Sequence, residues 1–131
     1  MTTKVLASSF ADPADVTAFR RCRARGGSEQ ECFKVGDNGV GKWGDDTTKG
    51  VPMCALPPDD WERFPRPVRG TQILVEANGR NVVCALADTM PRRKNIKNGA
   101  GIDLNPAACL ALGLKPPVLV PATWSRIITR P

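Results

Sequence analysis

Two carboxylates, Asp88 and Asp103, stand at the ends of "ADTMPRRKNIKNGAGIDLNP", and the loop between them carries Arg92, Arg93, Lys94 and Lys97. Paired carboxyls are the equipment of glycoside cleavage. One, protonated, donates to the leaving oxygen, while the other acts on water or on the sugar, at roughly 6.5–9.5 Å in inverting enzymes. The donor needs its pKa raised by burial or by a neighbouring carboxylate, and close cations push it the other way. The loop is therefore ambiguous: its cations, aimed at the acids, keep both ionised; aimed outward, they are free to meet the carboxylates of an anionic polymer. A plainer reading also fits the residues. Asp103 precedes an Asn-Pro helix start and can serve the turn and the helix dipole, and Asp88 beside Thr89 can close a turn.

The rest of the composition narrows the chemistry. The 131-residue chain has no histidine, so proton transfer falls to Asp or Glu. Five cysteines (Cys22, Cys32, Cys54, Cys84, Cys109) contain no CxxC pair, which argues against a metal site, and no cofactor is expected. Cys22 and Cys32 flank a short polar stretch and could form one bridge; Cys84 and Cys109 read as small core hydrophobes. Residues 1–61 carry 8 basic and 9 acidic side chains, for −1, and residues 62–131 carry 11 and 4, for +7. That asymmetry favours an anionic partner. Nucleic acid ranks low, because only 5% of residues are aromatic and no binding module is visible. No apolar run approaches the roughly 18 residues of a membrane span. The N-terminal "MTTKVLASSFADPADV" lacks an h-region, which predicts no signal peptide and a cytoplasmic location as synthesised.

The elements that must position these acids follow from pattern. One domain over 1–131 is expected. Twelve prolines argue against a helical bundle. "TKVLASSF" (3–10) reads as a strand, and Asp12-Pro13 opens a helix, with Asp15 as capping acid, that runs to about Arg25 and ends at Gly26-Gly27. The Gly- and Asp-rich stretch 35–50 matches neither a phosphate loop nor a calcium loop. "VPMCAL" (51–56) suits a short strand, followed by a loop at "PPDDWERFPRP". Two β-rich runs flank Asn78-Gly79, the strongest hairpin signal in the chain. Asn105-Pro106 starts a short helix that Gly113 ends, and "PPVLVPATWSRII" closes as one or two strands broken at Pro121. A mainly β small barrel with one longer and one short helix fits best.

The order "RGTQILVEANGRNVVCALADTMP…GIDLNPAACLALGL" resembles the six-stranded double-psi β-barrel of rare lipoprotein A, the expansins and the family-45 endoglucanases, over roughly residues 68–115. "VLASSF" is similar to that group's first strand, and the segment of about 12–50 reads as an insertion. The resemblance implies a wall-directed barrel that binds peptidoglycan or another anionic polysaccharide and could cleave it in the manner of a lytic transglycosylase. It assigns Asp88 and Asp103 to the acids at one end of the groove and Ser8 to the first-strand hydroxyl facing it. Asp45 or Asp46 stands for a further acid of lytic members. If the loop cations Arg92, Arg93, Lys94 and Lys97 point outward, they are the anion contact. Departures accompany it: Leu56 replaces a histidine, Met90 an aromatic, and Phe10 a tyrosine. A wall-directed fold without a signal peptide also suggests delivery in a particle such as a phage virion or tail. A non-enzymatic assembly component is therefore the alternative, and an exposed Trp43, Trp61 or Trp124 would be its mark.

Overall fold

The computed structural model describes residues 2–128. Six strands close into one barrel: β1 (Thr3–Ser9), β2 (Met53–Leu56), β3 (Gln72–Ala77), β4 (Arg80–Thr89), β5 (Ala100–Leu104) and β6 (Leu119–Arg126), in the order β1-β5-β2-β4-β3-β6. Two pairs, β1–β5 and β2–β4, are parallel, and the other four are antiparallel. Closure leaves no strand edge unpaired around the ring, which explains how such short strands hold together.

Alternation drives the core. On β3, Ile73, Val75 and Ala77 point inward while Gln72 and Glu76 face solvent. They meet Leu56, Leu86, Ile102, Leu104 and Trp124 in one cluster, together with the free thiols Cys54, Cys84 and Cys109. At the β3–β4 turn Asn78 and Gly79 both take positive φ (54° and 70°), as a type I′ hairpin requires.

Among the described residues four α-helices accompany the barrel: α1 (Pro13–Ala24), α2 (Glu29–Cys32), α3 (Pro58–Trp61) and α4 (Pro106–Ala111). Two of them, α2 and α3, are single turns inside stretches that pattern alone reads as loop. α2 is held by a capping box between Ser28 and Glu31. α3 has a proline at its start and Asp59 and Asp60 in its first turn. Asp12 occupies the N-cap of α1 but its side chain makes no cap bond; Asp15 instead accepts from the Ala11 amide at 3.0 Å. β6 is continuous through Pro121, which pairs with Leu6. Its pairing with β3 begins only at Thr123, so the missing N–H falls where the strand has one neighbour.

Asn105 does more than cap α4. Fully buried, it accepts from the Ala108 and Met53 amides and donates to the Thr47 and Val51 carbonyls, all at 2.9–3.0 Å. One side chain thereby ties α4, β2 and the end of the 35–50 loop together. Cys22 and Cys32 form a disulfide joining α1 to α2. Among the described residues no helix is long and apolar enough to cross a membrane.

Candidate functional site

Ladder register builds the site. Ser8 on β1 pairs with Asp103 on β5, Asp103 pairs with Ala55 on β2, and Ala55 pairs with Asp88 on β4. Four residues from four strands thus form one row, Ser8–Asp103–Ala55–Asp88, and all four line a groove of about 700 Å³. Neighbouring strands lie about 4.8 Å apart, so crossing one strand puts the two aspartate backbones about 10 Å apart. Ala55 between them is a methyl group, which leaves the space above the row open.

Both acids sit just after an irregularity in a parallel pair. The β1–β5 register skips Gly101 on β5, and the β2–β4 register skips Ala87 on β4. Such bulges re-aim the side chains that follow them. Each has a glycine fitted to it. A Cβ on Gly101 would overlap Val5, and one on Gly41 would overlap the Ala87 carbonyl oxygen.

The hydrogen bonds show what each acid is doing. The Ser8 hydroxyl donates to Asp103 Oδ1, so Asp103 is not spent on the start of α4, where Asn105 supplies the cap. Asp88 Oδ1 accepts from the Thr89 amide at 2.8 Å and from the Lys42 amide at 2.9 Å. It closes its own turn and also moors the 41–42 loop.

Two further acids line the groove, Asp15 from α1 and Asp37 from the segment after α2. Sequence pattern gives Asp15 only a capping role and places Asp37 inside an irregular loop. Their placement depends on the chain folding back, which no local pattern reports: a Cβ on Gly36 would overlap the Asp15 carbonyl oxygen, and the Asp37 amide donates to that oxygen at 3.3 Å. The "GDNG" turn at 36–39, with the Gly39 amide donating to Asp37 Oδ2 at 2.9 Å, is the one local signal that could have marked it. Phe33 and Val35, both exposed, complete this wall opposite the barrel row.

Acids gathered in a partly buried groove are weaker acids than free carboxyls. Burial first, and then the charges of Asp88, Asp37 and Asp15, raise Asp103 to about 6, against the lowering effect of Ser8. Asp88 is also raised by burial, although the Thr89 and Lys42 amides pull it down. Burial raises Asp37 and Asp15 as well.

The basic loop does not oppose this. Arg92 pairs with Glu62 at 2.5 Å, and Arg93 pairs with Asp60 while its amide donates to Asp59 at 3.0 Å. These carboxylates lie on or beside α3, so both guanidiniums are engaged away from Asp88 and Asp103. Lys94 and Lys97 are exposed on the same loop and do not line the groove. Asp45 and Asp46 lie elsewhere too. Arg69 holds Asp45 in a two-point ion pair and, chiefly by that bond, lowers its pKa; Asp46 is bonded to Thr48, which lowers its pKa as well.

The tryptophans present no flat exposed face. Trp124 is buried in the core, while Trp43 and Trp61 are partly buried edge-to-face at 5.7 Å. Leu56 is fully buried, and Phe10 and Met90, which form a small cluster with Ala55, line the same groove. Among the described residues no three His, Cys, Asp or Glu side chains are grouped to hold a metal ion.

No family model and no curated protein sequence matches this chain. Solved structures do. The apo expansin of Clavibacter michiganensis superposes with a TM-score of 0.60 at 15% identity, over 100% of this chain and 52% of that one. A point mutant of the same expansin in complex with cellohexaose gives 0.59 at 14%, over 98% and 51%. A papain inhibitor from Streptomyces gives 0.57 at 20%, over 98% and 96%. The chain thus spans about half the length of the expansin, and at these identities the likeness is one of fold: a mainly β, closed six-stranded barrel of the expansin double-psi type.

Proposed function

We propose that the barrel binds polysaccharide in the groove above the Ser8–Asp103–Ala55–Asp88 row, and that Asp103 donates a proton to a glycosidic oxygen there. The observation that carries this reading is Asp103 itself. It is a groove-floor carboxyl with one oxygen held by Ser8, three acids nearby and a pKa raised to about 6. A carboxyl in that range is partly protonated near neutrality and can act as the acid, with Asp88 across one strand as the second carboxyl of the pair. The cellohexaose-bound expansin, with the same type of barrel, supports a glycan as the occupant.

The finer reading is a peptidoglycan-directed site of the rare lipoprotein A kind, with lytic-transglycosylase chemistry. There the sugar's own hydroxyl attacks and one acid/base carboxyl suffices. Lys94 and Lys97, exposed beside the groove, are then the contacts for peptidoglycan carboxylates. The test incubates purified sacculi with wild type, Asp88→Asn and Asp103→Asn, and reads pelleting together with products by mass spectrometry. Anhydro-muropeptides lost in Asp103→Asn support the transglycosylase; new reducing ends support a hydrolase; pelleting without release supports a binder. Neither pelleting nor release, on sacculi or on cellulose, defeats the polysaccharide reading and leaves a non-enzymatic component of a virion or other assembly.

A second reading has one specific observation in its favour. The papain inhibitor matches over nearly the whole of both chains, whereas the expansin match leaves about half of that chain uncovered. On this reading the barrel is an inhibitor of cysteine proteases, and residual papain activity at micromolar barrel concentration separates the two.

A further inference from the structure

The wall of the groove begins at a disulfide-bonded cysteine. Phe33, Val35 and Asp37 follow directly after Cys32, the last residue of α2, and the Cys32 carbonyl accepts from both the Val35 and Gly36 amides at 3.1 Å. α2 is a single turn of four residues, far below the length at which a helix stands alone in water. Its covalent hold is the bond from Cys32 to Cys22 on α1. The wall's other holds also reach α1. They are the Phe19–Phe33 ring contact at 4.9 Å, the Asp37 amide on the Asp15 carbonyl at 3.3 Å, and Gly36 packed against that same carbonyl.

The two ends of the bond differ in burial. Cys32 is fully buried, but Cys22 is partly exposed. Gly27 lies against both sulfurs with no side chain to cover them, where a Cβ would stand 2.7 Å from Cys22 Sγ.

We infer that Cys22–Cys32 is a redox modification site whose reduction by a dithiol releases the Phe33–Asp37 wall and weakens the groove while the barrel stays closed. The reductant thiolate attacks Cys22 Sγ, the S–S bond breaks, and Cys32 leaves as a thiolate that takes a proton. The reductant's second thiol then attacks its own sulfur in the mixed disulfide and frees the Cys22 thiol. Two electrons and two protons pass to the protein, and the reductant ends as a disulfide. The remaining α1 contacts make the release a loosening of the wall.

Its effect on ligand rests on the polysaccharide reading, but the loosening itself can be measured without ligand. Wild type is compared before and after dithiothreitol by amide hydrogen exchange, with the open bond verified by alkylation and mass. Amides of residues 33–37 are expected to exchange on the order of 100-fold faster when reduced, the scale of a short closed loop, with β3–β4 amides unchanged. The Cys22→Ser/Cys32→Ser variant is expected to show the same profile, and retention on sacculi to fall several-fold in both. Unchanged exchange at 33–37 with the bond open overturns the inference. So does acceleration of the barrel strands together with the wall, because the bond is then a global staple. If the oxidised protein binds no polysaccharide, the proposed function fails, and the exchange comparison still decides the latch.

Discussion

At the scale of single residues, Asp103 ties the site to stability. Its pKa rises from 3.8 to about 6 on folding, so between those pH values the folded chain holds more protons than the unfolded one. Stability therefore falls as pH climbs through that window and stays lower above it. Asp103→Asn removes the penalty. The variant is expected to be more stable than wild type at pH 7.5, by on the order of 1–2 kcal/mol, with the gap closing toward pH 4. Urea melts at the two pH values check this; a variant less stable at both would mean that the Ser8 bond outweighs burial. Asn105→Ala should behave oppositely, losing about 3 kcal/mol or more at any pH, because buried amides and carbonyls on three segments lose their partner. Asp88, Asp103 and Ser8 were legible in the sequence because short motifs fix their strand positions. Asp37 was not, since its place depends on the fit of Gly36 to a carbonyl about twenty residues earlier. The partners of Arg92 and Arg93 were hidden for a similar reason: they lie on or beside α3, a helix that pattern alone reads as loop.

Elements position the row through two bulges, and the bulges depend on glycine. Gly101→Ala forces a methyl into Val5 and should cost about 1–3 kcal/mol, with loss of whatever activity the row supports. Gly36→Ala should leave the denaturant midpoint nearly unchanged while polysaccharide retention falls several-fold, because it displaces only the wall. Urea titration and pelleting assays on the same preparations separate these outcomes. The hairpin at Asn78-Gly79 and the Asn105-Pro106 helix were readable because their turn chemistry is local. α2 and the unbroken β6 were not. A one-turn helix has no periodicity to detect, and Pro121 is tolerated only because of which neighbour the strand lacks at that point.

At the scale of the whole molecule, a chain of net charge +6 gathers four of its 13 acidic residues in one groove. Charge and site therefore respond differently to ionic strength. Retention on sacculi should weaken between 50 and 300 mM salt, while binding of a neutral cello-oligosaccharide in the groove should hardly change; equal salt sensitivity for both would place the glycan on the basic surface instead. The closed barrel was legible as a class from short strands, proline content and motif order, whereas the row across its mouth required the register. That row has a kinetic consequence. Ser8 and Asp103 are 95 residues apart in the chain, and Ala55 and Asp88 enter from two further strands, so no short stretch of the polypeptide contains the site. Non-local pairing of this kind is slow to form. The groove is completed in the event that closes the ring, and a refolding chain should regain ligand binding at the same rate as its last protected strand amides, with no earlier phase in which it recognises anything.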